Sequence, residues 1–335
     1  MSECYHRLFE AQVQRAPDAP ALEFGDALLS YADLERRANR LARHLLARGI
    51  GRESLVGVAL GRSPDMIVAL LAIAKAGAAY VPIDPDEDTA RRDDIVAATS
   101  LAGLLVDGRW RPQVMASGVA LVDLAMDEAI IAAADDSSPG VEVTGRNLAY
   151  LLYTSGSSGR PKGIAMEHAS LFKLIRWHGS ARRDSCGLRT LQFCSIGFDF
   201  SFHEIFSTLC HGGTLVIASA DERLDPIALA RMIRDRGIER VFLPVSALLQ
   251  WAEAVDHNSF PSRLRHVFTT GEQLQITPAL RAICAETGAS VHNHYGATEF
   301  QDAATLTLSG DPATWPHVVP IGQPLFIRGD LSETA

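Results

Sequence analysis

The sequence predicts an α/β protein built on mostly parallel sheets with helices on both faces. Three observations carry that expectation. Apolar, strand-like runs alternate with amphipathic helical ones. The order strand, helix, strand recurs along the chain, which is the signature of parallel βαβ units. The chain has 335 residues, 47% of them apolar, enough to bury one large core or two or three smaller ones.

The elements follow in order. Residues 34–46 place Leu34, Ala38, Leu41 and Leu45 on one helical face and arginines on the others. Residues 54–60 form a short apolar run that reads as a buried strand. A helix follows, with Ser63 as N-cap and Gly77 as stop. Residues 79–84 form the next strand, bounded by prolines. The same order recurs over 212–219, 225–237 and 238–245, and again over 265–271, 277–288 and 289–296. Residues 135–144, polar and holding Pro139 and Gly140, read as an internal linker. In such folds ligands sit in the loops after the carboxyl ends of strands. Attention therefore falls on the loops that follow residues 148–154, 192–197, 241–244, 267–271 and 291–296.

Composition excludes several classes of function. A net charge of −9 argues against nucleic acid or an anionic membrane as the main partner. The five cysteines, Cys4, Cys186, Cys194, Cys210 and Cys284, form no CxxC pair, so neither a zinc ribbon nor a disulfide framework is expected. They read as reduced, mostly buried thiols of a cytoplasmic protein. No basic segment followed by an apolar one opens the chain, so no signal peptide is expected. The apolar stretch 66–82 is interrupted by Lys75 and Gly77 and is too short to span a bilayer. His203-Glu204 begins like HExxH, but Ser207 stands where the second histidine belongs. His292 and His294 would share one face of a strand, with no third ligand evident nearby. No GxSxG nucleophile elbow is present.

The most informative segment is 151–164. An apolar strand runs into Thr154-Ser155-Gly156-Ser157-Ser158-Gly159, then Arg160-Pro161-Lys162-Gly163. Glycines let several amide hydrogens face one anion, the hydroxyls add donors, and Arg160 and Lys162 add positive charge. This is what a polyphosphate requires. Lys162 follows Pro161, so the loop is not a P-loop, and no GxGxxG dinucleotide fingerprint occurs. Composition alone favours a flexible Ser/Gly surface loop.

The segment TSGSSGRPKG resembles the phosphate loop of the acyl-adenylate-forming superfamily. That superfamily includes nonribosomal peptide synthetase adenylation domains, acyl-CoA ligases and luciferases. Further resemblances follow in the family's order. They are LSYADLERRANRLARHL at 29–45, KAGAAYVPIDP at 75–85, FDFSFHEIF at 198–206, NHYGATEF at 293–300 and PIGQP at 320–324. The second and third together resemble the amino-acid-activating branch. The resemblance therefore implies that residues 1–325 are the large N-terminal core of an adenylation domain. It sets 326–335 as a tail ending before the family's small C-terminal subdomain, which carries a catalytic lysine. A sub-boundary is expected near 135–144.

The implied function is ATP- and Mg²⁺-dependent activation of an amino acid to an aminoacyl-adenylate, for loading onto a carrier protein's phosphopantetheine arm. An acyl-CoA or aryl-acid ligase fragment, or a non-catalytic nucleotide-binding module, is the alternative. By the resemblance, Thr154, Ser155, Gly156, Ser157, Ser158, Gly159 and Lys162 hold phosphates. Gly271 and Gly296 lie against the nucleotide, Tyr295 stacks on adenine and Asn293 meets its edge. Thr298 touches the α-phosphate and Glu299 holds Mg²⁺, with Ala297 where the family often has proline. Asp199 pairs with the substrate ammonium. The pocket lining carried over is Phe200, His203, Phe242, Phe268, Thr270, His294, Asp302 and Ala303. That set suits a medium-sized amino acid, α or β, with a polar or polar-aromatic side chain.

Overall fold

The structure, a computed structural model, describes residues 3–84, 89–108, 119–155, 161–256 and 260–325. Among these, the strands make two sheets. The larger contains β1 (Pro20–Phe24), β2 (Ala27–Ser30), β9 (Arg189–Gln192), β10 (Thr214–Ile217), β11 (Arg240–Pro244), β12 (His266–Thr270), β13 (Ser290–Ala297), β14 (Gln301–Leu308) and β15 (Gln323–Pro324). Its order is β15-β14-β13-β12-β11-β9-β10-β1-β2. The smaller contains β3 (Leu55–Ala59), β4 (Ala79–Pro82), β5 (Leu101–Val106), β6 (Leu121–Asp123), β7 (Leu148–Ser155) and β8 (Pro161–Glu167), ordered β6-β5-β3-β4-β7-β8.

Central pairings are parallel in both sheets, and antiparallel pairs occur at the edges: β1 with β2, β13 with β14, β14 with β15, and β7 with β8. The segment 135–144 runs between β6 and β7, which belong to the same sheet. Asn39 Nδ2 donates to the Asp136 carbonyl at 2.8 Å, and Arg43 Nη2 to Ser137 Oγ at 2.8 Å, so this connection is fastened to the helix Tyr31–Ala47.

Local chemistry explains where the elements start. Ser30 and Asp33 form a reciprocal capping box at the head of the helix Tyr31–Ala47. That helix buries Leu34, Ala38, Leu41 and Leu45, the stripe its periodicity predicts, and with them Tyr31, Asn39, Ala42 and His44. The helix Pro64–Lys75 differs from the amphipathic pattern, with Met66 through Lys75 all buried. It packs against β1 of one sheet and β3 and β4 of the other, so it has no face left for solvent. Lys75, whose charge interrupts the apolar run, is buried between Glu10 (2.6 Å) and Glu35 (2.8 Å). Ser63 does occupy the N-cap, but its hydroxyl donates back to the Gly61 carbonyl at 3.3 Å, and no side-chain cap forms. The proline after it needs no N–H partner, which lowers the demand on the cap. Among the described residues, no helix is long and apolar enough to cross a membrane. Cys4, Cys194, Cys210 and Cys284 are buried and Cys186 is partly so, and none is joined in a disulfide.

The feature that positions a site is direction. β9, β11, β12 and β13 run parallel, so their carboxyl ends meet at one edge of the larger sheet. The end of β7 from the smaller sheet reaches the same place. Arg62, just after β3, donates to the carbonyls of Gln192, Cys194 and Ala218 behind β9 and β10, tying the sheets together.

Candidate functional site: an acidic cleft at the strand ends

A cleft of about 280 Å³ opens at this edge. The end of β7 contributes Thr154, and the loop after β9 contributes Phe198 and Asp199. The helix Phe200–Leu209 adds Phe200 and His203. The end of β12 supplies Thr270 and Gly271. The β13–β14 turn supplies Gly296, Ala297, Thr298, Glu299, Gln301 and Asp302. Residues 154 and 302 are far apart in sequence, and crossover connections alone bring them together. A larger groove of about 700 Å³, lined by Pro226, Ile227, Leu249 and Thr277 among others, shares no residue with the cleft. It is shallow and holds no convergent catalytic groups.

Asp199 sits at the N-cap of the helix Phe200–Leu209 yet makes no capping bond to the next turn. Burial, then the nearby Asp302 carboxylate, push its carboxyl up to about 6, while bonds from the Phe200 amide and the Thr298 hydroxyl pull the other way. It is a carboxylate held in a place that favours an external cation. Gly271 has φ +98, a region that favours glycine, and a Cβ there would meet nothing within 4 Å. Its backbone faces open cleft, as close approach of a ligand requires. Lys162 Nζ lies 3.8 Å from Glu299 Oε1, both side chains largely exposed at the rim. Tyr295, on β13, is 48% exposed, an aromatic face left open.

Other carried-over residues lie behind the lining. Phe242 and Phe268 are fully buried and stack at 4.5 Å with an interplanar angle of 7°, and Phe200 meets Phe242 edge-on at 5.1 Å. They form a rigid aromatic wall one layer back. Asn293 is buried, and its Nδ2 donates to the Pro320 carbonyl at 2.9 Å, which anchors the segment entering β15. Ala303 accepts from the Leu325 amide through its carbonyl at 2.7 Å and does not line the cleft. Ser155 lies at the end of β7, and Gly156, Ser157, Ser158 and Gly159 lie outside the described residues.

The sequence offered no third group for the histidines of β13; the fold gives His294 the Asp302 carboxylate, while His292 meets His266 at 3.0 Å and Thr307 at 2.9 Å. Asp302 Oδ2 accepts from His203 Nδ1 at 3.0 Å and from His294 Nδ1 at 2.9 Å. His203 Nε2 in turn lies 2.9 Å from His178 Nδ1. Arg240, fully buried, fixes the direction of this relay. Its Nη1 donates to His178 Nε2 at 3.0 Å and to the Ser185 carbonyl at 2.7 Å. A nitrogen that accepts carries no hydrogen, so His178 donates from Nδ1 to His203, and His203 donates from Nδ1 to Asp302. Burial opposes ionisation of Asp302, but His294 and His203 outweigh it and hold the carboxyl well below the usual carboxylate range. Burial lowers His178 and His203, consistent with neutral rings. His178 and Arg240 escaped sequence reasoning because nothing in their neighbours marks them. Gln301 escaped as well. It holds φ +59 next to the motif, and its amide donates to the Tyr150 hydroxyl.

The turn is tightly made. A Cβ on Gly296 would approach the Gln301 carbonyl oxygen to 2.1 Å and its carbon to 2.8 Å, both backbone atoms that cannot step aside. Gly296→Ala is expected to cost about 1–3 kcal/mol and to displace Thr298 and Glu299, measurable as a lowered denaturant midpoint.

An acidic cleft at the carboxyl ends of parallel strands, with backbone open to a ligand, defines a small-molecule site of the doubly wound α/β class. The chain belongs to the AMP-binding enzyme family, whose model matches residues 9–328. It is 40% identical over 324 residues to malpinin synthetase of Mortierella alpina, covering 96% of this chain and 4% of that protein. The chain thus spans a small fraction of the length of this curated relative. A nonribosomal peptide synthetase structure, FmoA3 in its α-methyl-L-serine-AMP bound form, matches at TM-score 0.85 and 25% identity, over 96% of this chain and 36% of that one. The NpsA N-terminal subdomain of Klebsiella oxytoca shares the fold at TM-score 0.80 and 23% identity, over 97% of this chain and 79% of that chain. Fold and motif order are those of the N-terminal subdomain of a nonribosomal peptide synthetase adenylation domain.

Proposed function

We propose that this chain binds ATP and an amino acid and joins them as an aminoacyl-adenylate, releasing pyrophosphate, for transfer to a carrier protein in nonribosomal peptide assembly. The observation that carries the reading is the convergence of Thr154, Asp199, Gly271, Thr298 and Glu299 on one cleft. In the reaction the substrate carboxylate oxygen attacks the α-phosphorus in line. The new C–O–P linkage forms as the bond to pyrophosphate breaks, and no covalent enzyme intermediate is needed. Catalysis then rests on positioning and charge, since negative charge gathers on phosphate oxygens.

Roles follow from place. Asp199 binds the substrate ammonium, which turns the carboxylate toward the nucleotide. Tyr295 offers its face to the adenine, and Gly271 lets backbone lie against the nucleotide. Thr298, whose hydroxyl bonds Asp199, links the amino-acid and phosphate ends. Lys162 and the loop at 154–159 meet the phosphates. Glu299, a part-exposed carboxylate at the cleft rim, suits a hard cation that keeps most of its waters. It would hold Mg²⁺, which when bound supplies charge neutralisation at phosphate oxygens. The FmoA3 complex with an amino-acid adenylate supports the same assignment.

The test is amino-acid-dependent ATP–pyrophosphate exchange, run with this chain alone and with a related C-terminal subdomain added. Exchange with any proteinogenic or non-proteinogenic amino acid supports the reading. Its absence in both arms removes it and leaves a non-catalytic nucleotide-binding module. Exchange with aryl or fatty acids instead would place the chain with acyl-CoA or aryl-acid ligases.

The raised carboxyl of Asp199 adds a pH signature. The ammonium needs the ionised form, and the free site ionises near 6. Affinity for the amino acid should therefore be level above that pH and fall below it. The loss should reach about tenfold at one unit below that midpoint, read by calorimetry.

A further inference from the structure

The charges of the cleft do not balance. Its described lining holds three carboxylates, Asp199, Glu299 and Asp302, and no lysine or arginine. On the reading above, Glu299 faces the metal and phosphates and Asp199 the ammonium. Asp302 then meets no lysine or arginine of the described lining. The relay from Arg240 delivers one neutral N–H from His203. His294 Nδ1 meets the same oxygen at 2.9 Å, and its Nε2 is buried with no hydrogen-bond partner. Both donors act on Oδ2. With both imidazoles on Oδ2, the other carboxylate oxygen is left to the cleft, where a carboxylate is best answered by a cation.

We propose that the cleft selects an amino acid whose side chain ends in a cation, a diamino or guanidino acid, with Asp302 as counter-ion to that end. Phe200, with Phe242 behind it, gives the intervening methylenes an apolar wall. His203 and His294 hold the carboxylate in register. The inference rests on the aminoacyl-adenylate reading of the same cleft.

The experiment uses non-hydrolysable sulfamoyl-adenosine conjugates and calorimetry on this chain. The L-ornithine conjugate is compared with that of L-norleucine, in which a methyl replaces the terminal ammonium. The L-arginine conjugate is compared with that of L-citrulline. At least one charged conjugate should bind at least about 30-fold more tightly than its neutral counterpart. Asp302→Asn should erase that ratio. His203→Phe should narrow the ratio of charged to neutral conjugate, a readout that a general loss of binding, which weakens both conjugates alike, would not move. If the variants fail to fold, the wild-type ratios decide alone. Equal or tighter binding of both neutral conjugates overturns the proposal. So does a preference that requires added Zn²⁺, since the ligand atoms of His203, His294 and Asp302 lie within 4.8 Å of one another. Binding of a threonyl or phenylalanyl conjugate in place of both charged ones overturns this inference but keeps the proposed function. Failure of every aminoacyl conjugate to bind overturns both.

Discussion

Replacing Arg240 with methionine should lower the unfolding free energy by about 3–5 kcal/mol. The side chain is 1% exposed and makes four kinds of contact at once. Nε donates to Thr190 Oγ1 at 2.9 Å and Nη2 to Thr208 Oγ1 at 2.6 Å. Nη1 serves the Ser185 carbonyl and His178 Nε2. Methionine fills much of the volume but leaves those acceptors without donors in a place water does not reach. Each orphan costs about 1–3 kcal/mol, and partial rearrangement keeps the sum below the simple total. Burial already pulls the guanidinium down to about 10, which leaves it charged at neutral pH. Lysine should not rescue the variant, because a single ammonium cannot span four acceptors held in a planar fork. Denaturant unfolding checks the claim. A loss below about 1 kcal/mol would mean that the relay is ornamental.

Asp199→Asn should reduce amino-acid-dependent exchange by about 10²- to 10³-fold, the scale of removing one member of a buried, hydrogen-bonded charge pair. Asparagine keeps the shape and can still accept from Thr298, so the fold should survive. It cannot answer the ammonium. Mg-ATP binding, measured separately by thermal shift, should be unaffected, because the change lies at the amino-acid end of the cleft. Unchanged exchange would remove Asp199 from ammonium recognition. A parallel loss of nucleotide binding would show a collapsed cleft instead. The measurement belongs well above pH 6, where the wild-type carboxylate is ionised.

The sequence was most readable where spacing and chemistry coincide locally. The stripe from Leu34 to Leu45 gave its helix, and the recurring strand-helix-strand order gave parallel sheets; the Ser30–Asp33 cap, which starts that helix at Tyr31, went unread. Asp199, Thr298 and Glu299 were legible because each lies in a short ordered motif. The helix Pro64–Lys75 was harder. Its buried lysine looks like an interruption until Glu10 and Glu35 close around it.

By itself, then, the sequence determined the fold class, through local periodicity and the handedness and direction of βαβ units, which any stretch of the chain carries within itself. The family followed from the resemblance of its ordered motifs. Only the tertiary structure decided what Asp302 does. The carboxylate lies 99 residues from His203 and 8 from His294, and the Arg240 that orients the first lies on another strand. A buried polar network is a property of side chains that meet across elements. No residue in it announces its partner, because the energy that holds it comes from the absence of water, and that exists only once the sheets and helices have closed.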